Sequence, residues 1–238
     1  MERLLEVKYQ DEIIAGEKWK FDSEVTEVFD EMLERSIPDY LGMRRNTTEL
    51  ALRFAQPGTS IVDLGCSRGT GLRPIIDKLG KANSYIGVEV SEPMIEVAKV
   101  KIPEATVENL DLRDEYPKAR ASVTLSILTL QFVPIEYRQK IISNVYKNTV
   151  DGGVFLFVEK ILGSDSYADE LLVNTYLDRK GENGYTQEQI IAKRRSLEGV
   201  LVPVTSDWNQ DLLTRAGFKH VDCYWRHLNF AGWFGIKE

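Results

Sequence analysis

Short apolar runs that stop at glycine or an acidic residue recur along this chain, and between them apolar residues return at helical spacing. "SIVDLG" (60–65), "SYIGVEV" (84–90), "ATVENL" (105–110), "ASVTLSIL" (121–128) and "GGVFLFVEK" (152–160) read as buried strands bounded by turn signals. "RPIIDKLGK", "EPMIEVAKVKI" and "EYRQKIISNVYKNT" read as helices after the first, second and fourth of them. Ser91 before Glu92 and Pro93 predicts an N-capped helix start, and "DGG" at 151–153 a helix stop before a strand. "DWNQDLLTRAGF" is a last helix closed by Gly217, and "FKHVDCYW" (218–225) and "LNFAGWFGI" (228–236) are two strands joined by a short turn.

Strands alternating with helices predict an α/β protein with a seven-stranded, mostly parallel sheet covered on both faces. The final pair, lacking a helix between its strands, makes the last strand antiparallel. Two regions fall outside the alternation: a helical N-terminal extension over 1–56, and a helical insertion over 161–207 after the fifth strand. The remainder, 57–238 with that insertion, reads as one domain. Insertions at the carboxyl ends of strands overhang the ligand crevice of open α/β sheets, so both regions are expected to shape and cover a pocket.

Charge narrows the partners. With 37 acidic against 30 basic residues, the net charge of -7 speaks against broad adhesion to nucleic acid or anionic membrane. Cys66 and Cys223 stand far apart with no metal-type spacing, which predicts free thiols and no metal site. The charged stretch "MERLLEVKYQDEIIAGEKWKF" lacks the apolar centre of a secretory leader, and no apolar run approaches the ~20 residues of a membrane helix. A soluble cytoplasmic protein is expected.

The candidate chemistry starts at "DLGCSRGTG". Glycines directly after a strand let backbone N–H groups approach a ligand. The spacing is neither the dinucleotide fingerprint nor a phosphate-binding P-loop. Glu89 ends the second strand ~20 residues beyond the turn, where an acid grips the ribose hydroxyls of an adenosine. Asp111 follows at the end of the third. This ordered set resembles the S-adenosylmethionine (SAM) site of the Rossmann-like class I methyltransferase fold, with the glycines leaving room for the homocysteine part and Asp63 orienting the loop.

A narrower resemblance rests on "FDSEVTEVFDEMLERSIPDY" (21–40), "DLGCSRG" (63–69), "LTLQFVP" (128–134) and "NGYTQEQIIAKRRSLEGVL" (183–201). These segments resemble the carboxy-S-adenosylmethionine synthase family, formerly described as tRNA (cmo5U34) methyltransferases, from about Phe21 to Lys237. The resemblance implies an enzyme that makes carboxy-SAM from SAM and prephenate, whose carboxymethyl group another enzyme places on a tRNA wobble uridine. It also implies a homodimer. By motif, Tyr40 lines the cofactor pocket and closes it, Gly65, Cys66 and Ser67 hold the amino-acid part, Glu89 and Val90 meet the ribose and adenine, and Asp111 and Leu112 hold the adenine. Arg194 matches the arginine that grips the transferred carboxylate, which suits a guanidinium fork. Arg195 beside it is the competing candidate, and a solvated helix charge is the plain alternative for both.

Two positions depart from the family pattern. Ile127 stands where the family has an asparagine contacting the cofactor, so that contact is either missing or replaced by Ser126 or Gln131, and Val90 also replaces an asparagine. Gln131 and Phe132 are expected to line the substrate pocket. Cys66 reads as a small neighbour of the ligand rather than a nucleophile. Tyr224, Trp225, Phe230, Trp233 and Phe234 read as strand-face packing rather than a nucleic-acid stacking platform. An ordinary SAM-dependent methyltransferase acting on a small molecule or tRNA, and a non-catalytic SAM-binding partner of a modifying enzyme, stand as rival functions.

Overall fold

The computed structural model describes residues 18–238, so the first 17 residues of the extension read over 1–56 lie outside it. Its sheet runs β3-β2-β1-β4-β5-β8-β7. Those strands are β1 (Ser60–Leu64), β2 (Ser84–Glu89), β3 (Thr106–Asn109), β4 (Ala121–Ile127), β5 (Thr149–Leu162), β7 (His220–His227) and β8 (Phe230–Ile236). All neighbours are parallel except β8, which runs antiparallel to both β5 and β7. The expected seven-stranded sheet with one antiparallel strand is present. A two-residue strand, β6 (Val204–Thr205), pairs alongside the end of β5 and has no signal in the sequence.

Among the described residues eight α-helices surround the sheet: α1 (Ser23–Ser36), α2 (Tyr40–Phe54), α3 (Arg73–Leu79), α4 (Glu92–Lys101), α5 (Ile135–Asn148), α6 (Ser166–Glu182), α7 (Gln187–Leu197) and α8 (Ser206–Ala216). Asp22 caps α1 by accepting from the Val25 N–H, and Thr186 and Gln189 form a reciprocal capping box at α7. Gly217 ends α8 in the left-handed conformation, as its position predicts. Ser91 does precede α4, but its hydroxyl donates to the Phe21 carbonyl at 2.6 Å instead of capping the helix. "DGG" lies inside β5 as an irregularity in its pairing with β4, because α5 has already ended at Asn148.

The core has two layers. Val62, Leu64, Phe155, Phe157 and Trp233 pack under α5 and α8 on one face. Ile61, Val123, Leu125 and Leu156 pack under α2, α3 and α4 on the other. Trp233 stacks on Phe157 at 5.0 Å and is fully buried, and Trp225 and Phe230 are buried too, so these strand aromatics pack as expected. The extension and the insertion are laced to each other: the Trp19 N–H donates to the Ser196 carbonyl at 3.0 Å, and the Ser36 and Tyr185 hydroxyls lie 3.0 Å apart. Among the described residues no helix is long and apolar enough to cross a membrane.

Candidate functional site

The carboxyl ends of β1, β2, β4 and β5 open into a cavity of about 380 Å³, within the range of small-molecule sites. The glycine turn forms its floor. Gly65, Ser67 and Gly69 take positive φ values of 74°, 49° and 82°, and the Gly65 and Cys66 N–H groups both donate to the Val88 carbonyl at 2.8 and 2.9 Å. Close protein neighbours also demand glycine here. A Cβ on Gly65 would overlap the Thr129 side chain, and one on Gly71 the Asp63 carboxylate.

Glu89 holds the turn in place. Its carboxylate accepts from the Ser67 N–H at 3.0 Å, the Val90 N–H at 2.8 Å and the Ser91 N–H at 3.0 Å, which fixes it at the cavity edge. The orienting contact expected of Asp63 is therefore made by Glu89. Asp63 is buried, and among the described residues nothing hydrogen-bonds its carboxylate. Burial pushes its pKa up to about 7, and the nearby Arg44 guanidinium restrains the rise. Arg44, on α2, lines the same wall with its guanidinium 5.9 Å from the centre of the Tyr40 ring. Sequence reasoning missed it.

Tyr40, Cys66, Val90, Asp111 and Leu112 all line the cavity. The Asp111 carboxylate is gripped by the Arg113 side chain at 2.9 Å, which holds its pKa below the usual range. Burial pushes the Cys66 thiol up, so it carries no thiolate near neutral pH.

Ile127, Gln131 and Phe132 line the opposite wall with Lys160. Glu159 organises it: both carboxylate oxygens accept backbone N–H groups, from Leu130 at 2.9 Å and Gln131 at 2.7 Å. Burial pushes Glu159 up to about 8. The Gln131 Oε1 in turn accepts from the Lys160 N–H at 2.8 Å. Ser126 is buried away from the cavity and replaces no contact.

Arg194 and Arg195 are not brought to the wall. α7 turns Ile190, Lys193 and Ser196 inward, at helical spacing, so the two arginines project to solvent and Lys193 lines the cavity instead, against the Trp19 ring at 4.8 Å.

A parallel sheet in this order with one antiparallel strand, a glycine turn after β1 and an acid ending β2 define a class I SAM-dependent transferase fold, with SAM as the cofactor. Residues 61–153 match the family model of a methyltransferase domain. DesVI of Streptomyces venezuelae shares the fold, with a TM-score of 0.64 over 92% of this chain and 100% of that one at 15% identity. The chain is 36% identical to the carboxy-S-adenosyl-L-methionine synthase of Methylococcus capsulatus, over 91% of this chain and 93% of that protein. To that of Desulforapulum autotrophicum it is 38% identical, over 91% of this chain and 90% of that one. The chain belongs to the carboxy-S-adenosyl-L-methionine synthase family.

Proposed function

We propose that this enzyme converts SAM and prephenate to carboxy-SAM, phenylpyruvate and water, supplying a carboxymethyl donor for tRNA modification. What carries the reading is likeness to carboxy-SAM synthases along more than nine-tenths of the chain, through both regions that wall the cavity. The residues present fit SAM. The bare Asp63 carboxylate and the Arg44 guanidinium are complementary to the ammonium and carboxylate of its amino-acid end, beside Gly65, Cys66 and Ser67. Glu89 would take the ribose hydroxyls through its remaining lone pairs, with Asp111, Leu112 and the apolar Val90 around the adenine, and Tyr40 closing the pocket.

SAM supplies the sulfonium methyl carbon that becomes the carboxymethyl group. Prephenate balances the reaction: aromatisation expels carbon dioxide and hydroxide, and the hydroxide leaves as water with a methyl proton. No residue of the chain need then serve as general base. The cavity, walled in part by the extension and the insertion, would limit the access of bulk water to the departing carbon dioxide. Arg194 is proposed to grip the transferred carboxylate after swinging inward from its exposed position on α7. A homodimer through the insertion would cover Tyr167, Leu171 and Ile191, apolar side chains exposed on α6 and α7.

The reading is tested by incubating the protein with SAM and prephenate and weighing the products. A species heavier than SAM by one carbon dioxide, formed with phenylpyruvate, is expected. S-adenosylhomocysteine formed with a methylated small molecule or tRNA would instead establish an ordinary methyltransferase, a reading that Ile127 and Val90 favour. Tight SAM binding without turnover on either substrate would establish a non-catalytic partner.

A further inference from the structure

Lys160 is a cationic group of the cavity wall that SAM leaves without a counterpart. Its ammonium lies 4.8 Å from the centre of the Tyr176 ring and 6.0 Å from that of Phe230. Those two rings meet edge to face at 5.6 Å. The backbone beneath is fixed by Gln131, itself held by Glu159. Among the described residues no hydrogen bond or ion pair reaches the ammonium. Of the charged groups near enough to act on it, Asp169 on α6 favours its protonation and the exposed Arg194 on α7 opposes it, while the Tyr176 phenol is pushed up by burial and stays neutral. Burial lowers the lysine to about 8, so it is still a cation at neutral pH.

The ring faces attract the ammonium but replace only part of its lost hydration, so this buried cation still gains from the arrival of an anion. The one carboxylate of SAM belongs at the glycine turn after β1. β4 lies between β1 and β5, so Lys160 stands roughly 10 Å from there by strand spacing. The anion must come with a second ligand, and the rings beside the ammonium suit a flat, unsaturated one.

We propose that Lys160 binds a carboxylate of the second substrate, a 2-oxo acid that carries its charge beside an unsaturated six-membered ring. This deepens the function proposed above and rests on it for the identity of the acid. Lys160 thereby selects an anionic co-substrate over the neutral acceptors that an ordinary methyltransferase takes.

The test compares wild type, Lys160→Met and Lys160→Arg. Lys160→Met is expected to keep its melting temperature and its SAM affinity within about twofold, while KM for prephenate rises about 10- to 100-fold, the range of one charge-assisted hydrogen bond. Lys160→Arg recovers most of that loss. In wild type KM rises above pH ~8 as the ammonium is lost, and this rise is absent in Lys160→Arg. An unchanged KM in Lys160→Met, or a loss confined to SAM affinity or to retention of carboxy-SAM, overturns the assignment and leaves the function standing. If wild type does not turn over prephenate, the function falls instead. The lysine is then judged by calorimetry of phenylpyruvate with SAM-loaded protein: binding weakened in Lys160→Met supports it, and no binding to wild type overturns it.

Discussion

Asp63→Asn is expected to make the ligand-free protein more stable at alkaline pH and worse at holding SAM. Asp63 is buried, and its pKa moves from 3.8 to about 7 on folding. The folded state therefore binds more protons than the unfolded state between those values, and stability falls as pH rises through that window. A shift of this size corresponds to roughly 4 kcal/mol by pH 8.5, at about 1.4 kcal/mol per unit. Asparagine keeps the shape and removes the charge. In thermal melts without ligand the variant should gain up to about 8–16 °C over wild type at pH 8.5, at 2–4 °C per kcal/mol for a protein of this size, and only about 2–4 °C at pH 4.5, where the window has barely been entered. Glu159 titrates in the same direction, so wild type and variant share its slope and the difference between them isolates Asp63. Calorimetry at pH 8.5 should show SAM bound about 10- to 100-fold more weakly by the variant, because the partner of the ammonium is gone. A variant destabilised equally at both pH values, or one that binds SAM as wild type does, would refute the assignment of Asp63 as a carboxylate kept bare for its ligand.

Three further outcomes follow from the packing. Glu159→Ala strands the Leu130 and Gln131 N–H groups, at about 1–3 kcal/mol each, and should lower the denaturant midpoint in an equilibrium melt. Gly65→Ala meets both a φ of 74° and the Thr129 side chain, and should cost at least about tenfold in SAM affinity by calorimetry while leaving far-ultraviolet circular dichroism unchanged. Trp233→Ala empties the stack on Phe157 at the centre of the sheet and should lose about 3–5 kcal/mol in chemical denaturation.

The strands were legible because burial on both faces leaves a continuous apolar run, and each run ended in a recognisable turn. The ligand floor was legible for the same local reason: Gly65, Glu89 and Asp111 sit at the ends of three such runs. Residues whose roles depend on facing were not. Glu159 and Lys160 read only as charges ending a strand until the β4–β5 pairing brings them against residues 130–132. Arg44 lies on a helix well before β1, and nothing in the local pattern says which side meets the sheet. On α7 the apolar Ile190, Ile191 and Leu197 leave the helical phase open between Lys193 and its arginine neighbours. The fold resolves it by burying Ile190 and exposing Ile191.

The placement of β8 also bears on how the protein is born. It is synthesised after the other seven strands, yet it lies between β5 and β7, and Lys237 just beyond it exchanges backbone hydrogen bonds with Gly152 and Gly153 at 2.8 and 3.0 Å. While the roughly 70 residues after β5 are being translated, the ribosome-bound chain presents an unpaired, strongly apolar strand edge for about 4–15 s at ordinary elongation rates. The nascent protein therefore has a sticky interval before its closing hairpin arrives, during which a chaperone or rapid docking of the insertion must shield that edge.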